Sequence, residues 1–190
     1  RRLAPAKRTF EVCVIGHLRE EKDSLRTAYA ARQLPEDSRI RVIHLGRAHN
    51  EDWAQAAAAE MARNPRYRWR GEVPHWQVRR LMARARLMVL SSVMEGGANV
   101  ISEAVVAGLP VIASRISGSV GLLGEDYAGY YPAEDEAALA GLLWKAESDS
   151  EFLALLDRQC GMRADLFRPE REREAWRDVI EGLARDGDFA

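Results

Sequence analysis

The sequence predicts an α/β fold: a doubly wound parallel sheet of about six strands with helices on both faces. Short apolar strand patterns alternate with helical ones about five times along the chain, as repeated strand–helix–strand units require. At 190 residues, 47% of them hydrophobic, the chain is long enough for one sizeable core and one domain. Crossovers between parallel strands are right-handed almost without exception, which makes 3-2-1-4-5-6 the simplest strand order.

Strands are expected at 11–15, 39–45, 67–70, 87–90, 111–113 and 129–131. Helical patterns lie between them at 24–33, 51–63, 75–86 and 98–107, with a short or irregular connection after Ser114. Three more, at 136–147, 150–166 and 170–184, follow the last strand. Asp23 and Asn50 stand where caps would stand before the first two helices, and Pro169 suits a first-turn position. Ahead of the first strand, Arg1-Arg2-Leu3-Ala4-Pro5-Ala6-Lys7-Arg8 reads as an exposed basic linker without an initiator Met. Residues 1–9 are therefore expected to lead in from a missing N-terminal domain, with the present domain at 10–168.

Composition narrows the function classes. The net charge is −1, from 28 basic and 29 acidic residues, so no global field draws the chain to nucleic acid or a membrane surface. No apolar run approaches the ~20 residues that span a bilayer, and the basic start lacks the apolar core of a secretory signal. Cys13 and Cys160 have no metal or redox spacing; both read as buried thiols of a cytoplasmic protein. Arg66, Arg68 and Arg70 alternate with Tyr67 and Trp69, as expected of an edge strand with one charged face. His44, His49 and His75 share no ligand spacing. Asp186-Gly187-Asp188 resembles a metal motif but falls in what reads as a frayed tail, so no metal is expected. Trp53, Trp76, Trp144 and Trp176 fall on helices and are expected in core or inter-domain packing.

In the predicted order, strands 1 and 4 are neighbours whose exit loops diverge, and ligands bind at such a switch point. The first of these loops is Gly16-His17-Leu18-Arg19-Glu20-Glu21-Lys22, and the second runs from Ser91 to Gly97. Glu95 and Glu103, eight residues apart, bracket a glycine turn and a helix start. Such a turn offers backbone N–H groups and a positive helix end to a phosphate. One acid in the turn and one inside the helix can then face the same ligand. The combination points to a phosphate-linked sugar, with amides for the diphosphate and carboxylates for hydroxyls.

These residues resemble the donor-binding C-terminal half of the GT-B glycosyltransferases, in the large retaining group often called family 4. Glu95 and Glu103 match its Glu-x7-Glu run, and Ala104-Val105-Val106-Ala107-Gly108-Leu109-Pro110-Val111-Ile112-Ala113 resembles its next strand entry. Gly16-His17-Leu18 with Lys22 resembles its Gly-Arg-Leu loop and following Lys, and 118–135 resembles the passage before its closing helices. The likeness spans almost the whole chain and implies a Rossmann-like fold. Two departures stand out: His17 replaces the usual Arg, and Glu95-Gly96-Gly97-Ala98 lacks the aromatic of the usual Glu-Gly-aromatic-Gly turn. The loss of that aromatic opens space beside the sugar.

The resemblance implies a metal-independent hexosyl- or other glycosyltransferase with a UDP-sugar donor and no cofactor. Glu95, Lys22 and Arg19 are the implied catalytic residues: Glu95 for sugar hydroxyls and charge at the anomeric carbon, the two cations for the leaving UDP. Glu103 would take the ribose diol, and Gly96, Gly97, Ala98, Gly16 and His17 would lie along the diphosphate. The base would lie against the loop after strand 3, at Gly71 and Val73. Gly118, Gly121 and Gly124 would line the same cleft, and 169–190 would cross toward the missing domain. His17-Leu18-Arg19-Glu20-Glu21-Lys22-Asp23, Glu95 to Val100 and Gly118 to Tyr127 are more narrowly similar to the selenosugar synthases of selenoneine biosynthesis, which implies selenophosphate as acceptor. Two other readings fit the same residues, a nucleotide-sugar epimerase half and a non-catalytic nucleotide-binding module. Surface pairing of Arg19 and Lys22 with Glu20 and Glu21 is the plain structural alternative for those cations.

Overall fold

The computed structural model describes residues 9–185. Six parallel strands form one sheet: β1 Phe10–Ile15, β2 Ile40–Leu45, β3 Tyr67–Trp69, β4 Leu87–Leu90, β5 Val111–Ser114 and β6 Tyr130–Tyr131. Their order is β3-β2-β1-β4-β5-β6, as the crossover argument requires. Every residue of β4 and β5 is buried, as strands covered on both faces must be. β3 lies at the edge, with Tyr67 buried and Arg68 exposed, which accounts for its alternating arginines.

The helices are α1 Arg26–Arg32, α2 Glu51–Arg63, α3 His75–Arg84, α4 Asn99–Val106, α5 Ser117–Leu123, α6 Glu136–Ser148, α7 Ser150–Arg163 and α8 Pro169–Arg185. Right-handed crossovers put α1 and α2 on one face of the sheet and α3, α4 and α5 on the other. α6 returns to pack on α1, and α7 packs on α4 and α5. Polar bonds join α1 to α6: Arg26 pairs with Glu136 at 3.6 Å and Gln33 donates to Glu136 at 2.6 Å. Glu60, fully buried in α2, is satisfied by Arg32 at 3.3 Å, Arg63 at 2.7 Å and Asn64 at 3.0 Å. A buried carboxylate needs such partners. Cys13 and Cys160 are buried free thiols.

Two local expectations are corrected. Asp23 does not cap α1: its backbone is left-handed (φ 44°) and its carboxylate takes the Arg26 Nε–H at 2.7 Å. Asn50 does cap α2, accepting the Trp53 amide at 3.0 Å. The connection after Ser114 is the helix α5, whose glycines give it little intrinsic propensity. Tertiary bonds compensate: Arg163 Nε donates to Leu122 O at 3.0 Å and the Tyr130 hydroxyl to Ser119 O at 3.1 Å. Gly124, at φ 92°, then ends the helix. Trp53 and Trp144 pack against the core, whereas Trp76 and Trp176 are exposed. The tail containing Asp186-Gly187-Asp188 and the linker at 1–8 lie outside the described residues.

Candidate functional site

The loops after β1 and β4 meet at the switch point. The Ser91 hydroxyl donates to the carbonyls of Lys22 and Asp23, each at 3.0 Å, and the Val93 amide to Glu21 O at 3.0 Å. Lys22 Nζ then forms a direct ion pair with Glu95 Oε1, with side chains 18% and 13% exposed. Ser92 Oγ donates to the same Oε1 at 2.9 Å, and the Ser114 hydroxyl holds Ser92 O at 2.5 Å. Glu95 Oε2 has no partner among the described residues. Burial, and next the Arg19 guanidinium, lowers the Lys22 ammonium below the usual lysine range, with Glu21 opposing.

Backbone packing fixes where Glu95 sits. A Cβ on Gly118, in the first turn of α5, would lie 2.3 Å from the Glu95 carbonyl oxygen. Only glycine permits that approach. Gly118 thus supports the acid from behind, which corrects the expectation that it lines the cleft. Gly124 serves the α5 terminus instead.

A cavity of about 310 Å³ opens beside the ion pair, lined by Gly16, His17, Arg19, Lys22, Leu45, Gly46, Glu72, Val73 and Val78 along with Ile15. Five of the residues singled out in the sequence (Gly16, His17, Arg19, Lys22 and Val73) therefore share one wall system. Arg19 also pairs with Glu21 at 3.1 Å, as surface pairing would have it, whereas the ion-pair partner of Lys22 is Glu95 rather than Glu20 or Glu21. His17 accepts the Arg47 amide at Nδ1, 3.0 Å away. Gly71 is one step removed: at φ 69° its carbonyl takes the Gly46 amide at 2.8 Å, tying the third loop to the second.

Gly96, Gly97, Ala98 and Glu103 lie outside that lining. Gly96 and Gly97 are exposed, Ala98 is buried, and none of their three amides has a hydrogen-bond acceptor among the described residues. α4 begins at Ala98 without a side-chain cap, whereas Asn50, Asp135 and Asp149 cap α2, α6 and α7. Glu103 stands in the middle of α4, exposed, with His75 Nε2 3.8 Å from its Oε1. The two acids thus have different partners, Lys22 for one and His75 for the other.

Sequence reasoning missed several supports. Gly46 follows β2 as Gly16 follows β1, and that parallel was a usable signal. The serines Ser91, Ser92 and Ser114 tie the loops together through contacts that no spacing announces. His44, set aside for lack of ligand spacing, is buried beneath Gly16, with Nε2 3.0 Å from the Gly16 carbonyl.

The model of a family described as glycosyl transferases group 1 matches residues 1–161. No curated protein matches the chain. Among solved structures, HepE of Anabaena in complex with UDP and glucose matches with a TM-score of 0.82 at 20% identity, over 93% of this chain and 49% of that one. The same protein in complex with UDP-glucose gives 0.79 at 19%, over 92% and 49%. WaaG, a glycosyltransferase involved in lipopolysaccharide biosynthesis, gives 0.69 at 22%, over 84% and 44%. At these identities the likeness is one of fold, and the chain spans about half the length of each. The family match covers most of the chain, and the six-stranded parallel sheet agrees with it: the protein belongs to the group 1 glycosyl transferases.

Proposed function

We propose that this chain is the donor-binding half of a glycosyltransferase that takes its sugar from a UDP-sugar. The observation that carries the reading is the Lys22–Glu95 ion pair, which joins a phosphate-type loop to a sugar-type acid across the switch point. Bound UDP and UDP-glucose in the HepE structures support the choice of donor class. The diphosphate lies along the first loop, where Lys22 and Arg19 offset charge as UDP leaves and the amides of Gly96, Gly97 and Ala98 add donors. Glu95 Oε2 takes a sugar hydroxyl, and the carboxylate offsets positive charge growing at the anomeric carbon. Glu103 takes the ribose diol, and the backbone at Gly71 to Val73 takes the base.

The rest of the reaction belongs to a second domain that supplies the acceptor pocket. α8 is the docking surface for it, since Trp176, Val179 and Ile180 are exposed along the helix. Selenophosphate is the acceptor proposed from the narrower sequence likeness: its selenium forms the bond to the anomeric carbon as the bond to UDP breaks. Calorimetric titration with UDP and several UDP-sugars, followed by turnover of the full-length protein with selenophosphate, tests both levels. Tight UDP binding without a selenosugar product would keep the donor reading and remove the acceptor. No binding of any uridine nucleotide would remove both.

A further inference from the structure

We propose that His44 is a positioning residue that aims the amide of the Gly16–His17 peptide into the donor cavity as an anion-binding group. This rests on the nucleotide-sugar reading above and adds a residue to it.

His44 lies in β2 and is 1% exposed. Its Nε2 is 3.0 Å from Gly16 O and its Nδ1 is 2.9 Å from the Tyr67 hydroxyl. A carbonyl can only accept, so Nε2 carries the ring proton and Nδ1 accepts the Tyr67 proton. Burial keeps His44 uncharged, its pKa pushed down to about 4, and raises the Tyr67 hydroxyl well above its usual value. The pair therefore holds one tautomer across neutral pH.

That tautomer has a consequence one bond away. No cis peptide is present among the described residues, and in a trans peptide the carbonyl and the following N–H point to opposite sides. Drawing the Gly16 carbonyl down onto His44 turns the His17 N–H away from the floor. The flanking amides are spent: Gly16 N–H donates to Leu45 O at 3.0 Å and Leu18 N–H to Arg47 O at 2.9 Å. The His17 N–H has no acceptor among the described residues. His17 itself lines the cavity wall that also carries Arg19 and Lys22.

Gly46 completes the support. A Cβ there would stand 1.9 Å from Gly16 O and 2.9 Å from His17 N, so the floor under this peptide is backbone and imidazole alone. Trp69 Nε1 holds Gly46 O at 2.8 Å, and the Gly46 amide is spent on Gly71 O at 2.8 Å. An amide fixed in this way meets a phosphate oxygen without reorganising, which is when such a donor is most effective. It also supplies a diphosphate donor in a loop where the family's arginine is His17.

The test compares UDP with uridine, which lacks the phosphates, on the 190-residue chain by calorimetry. His44→Met removes the ring donor at similar bulk, and His44→Gln keeps an N–H near the Nε2 position. His44→Met should weaken UDP binding by ~10- to 100-fold, the range of a hydrogen bond to a charged group, and leave uridine binding unchanged. His44→Gln should recover most of the loss. Equal weakening of UDP and uridine, or no recovery in a His44→Gln protein that melts at the wild-type temperature, would overturn the assignment while leaving the donor reading intact. Failure of the wild-type chain to bind UDP would overturn both. Should His44→Met not fold, the ¹⁵N–¹H resonance of the wild-type His17 amide decides: it must move on saturation with UDP and stay in place with uridine.

Discussion

The loop after β1 rests on a buried floor, whereas the loop after β4 is fixed as far as Glu95 and open at Gly96 and Gly97. Beneath the first loop, His44 holds Gly16 O, and Gly46 packs against the same peptide. The second loop is tied at Ser91 and Val93, and again where Ala98 is buried at the start of α4, but Gly96 and Gly97 between them are exposed. The difference teaches a division of labour within the proposed site. Donors on the first loop are set before a ligand arrives and suit the invariant diphosphate. On the second loop Glu95 is held in the same way, and Gly96 and Gly97 beyond it have open space around them. Lys22 and Glu95 are the only side-chain ion pair that crosses between the two loops among the described residues.

The sharpest way to break this comparison is to cut that link. Lys22→Met removes the cation proposed to offset the leaving group and frees Glu95, and should lower turnover of the full-length protein by ~10²–10³-fold, the usual cost of one such donor. Steady-state transfer from a UDP-sugar checks it, and a loss under tenfold would separate Lys22 from the chemistry. Next comes the floor. Gly46→Ala drives a methyl group into the Gly16 carbonyl, at a backbone φ of 152°, and should cost about 3 kcal/mol or more of stability in urea unfolding.

The floor also carries a pH signature. His44 titrates at about 4 in the fold and near its ordinary 6.5 when unfolded. Below 6.5 the unfolded chain binds a proton that the native chain refuses, so this contribution is intact above that pH and is lost as pH falls toward 4. The slope integrates to about 3 kcal/mol. Urea midpoints at pH 7 and pH 4.5 should differ by more in the wild type than in His44→Gln, and equal differences would show that His44 is not the group responsible.

Smaller effects sharpen the contrast. Asn50→Ala removes the cap of α2, at a cost of about 1 kcal/mol, while α4 has no such cap to lose. Gly97→Ala meets nothing within 4 Å, so stability should change by no more than about 0.5 kcal/mol. A large loss at Gly97 would mean the second loop is as tightly built as the first.

Much of this organisation was legible in the chain because it is local or topological. Apolar runs and crossover handedness gave the strand order, and strand order alone predicts that Lys22 and Glu95 approach each other. Asn50 signalled its helix because a cap bonds within three residues of itself. Asp23 misled because its acid is followed three residues on by Arg26, which takes the carboxylate. α5 was invisible because its stability comes from Arg163 and Tyr130, distant in sequence. His44 was invisible for the same reason: its role exists only once β2 lies beside β1 and Tyr67 reaches it from β3.

The most direct test of the central claim is amide mapping by ¹⁵N–¹H spectra during titration with UDP-glucose. A single site spanning both loops predicts that His17 and Lys22 shift together with Gly96, Gly97 and Ala98, along one saturation curve. Shifts confined to one loop, or centred on the surface of α8, would contradict it.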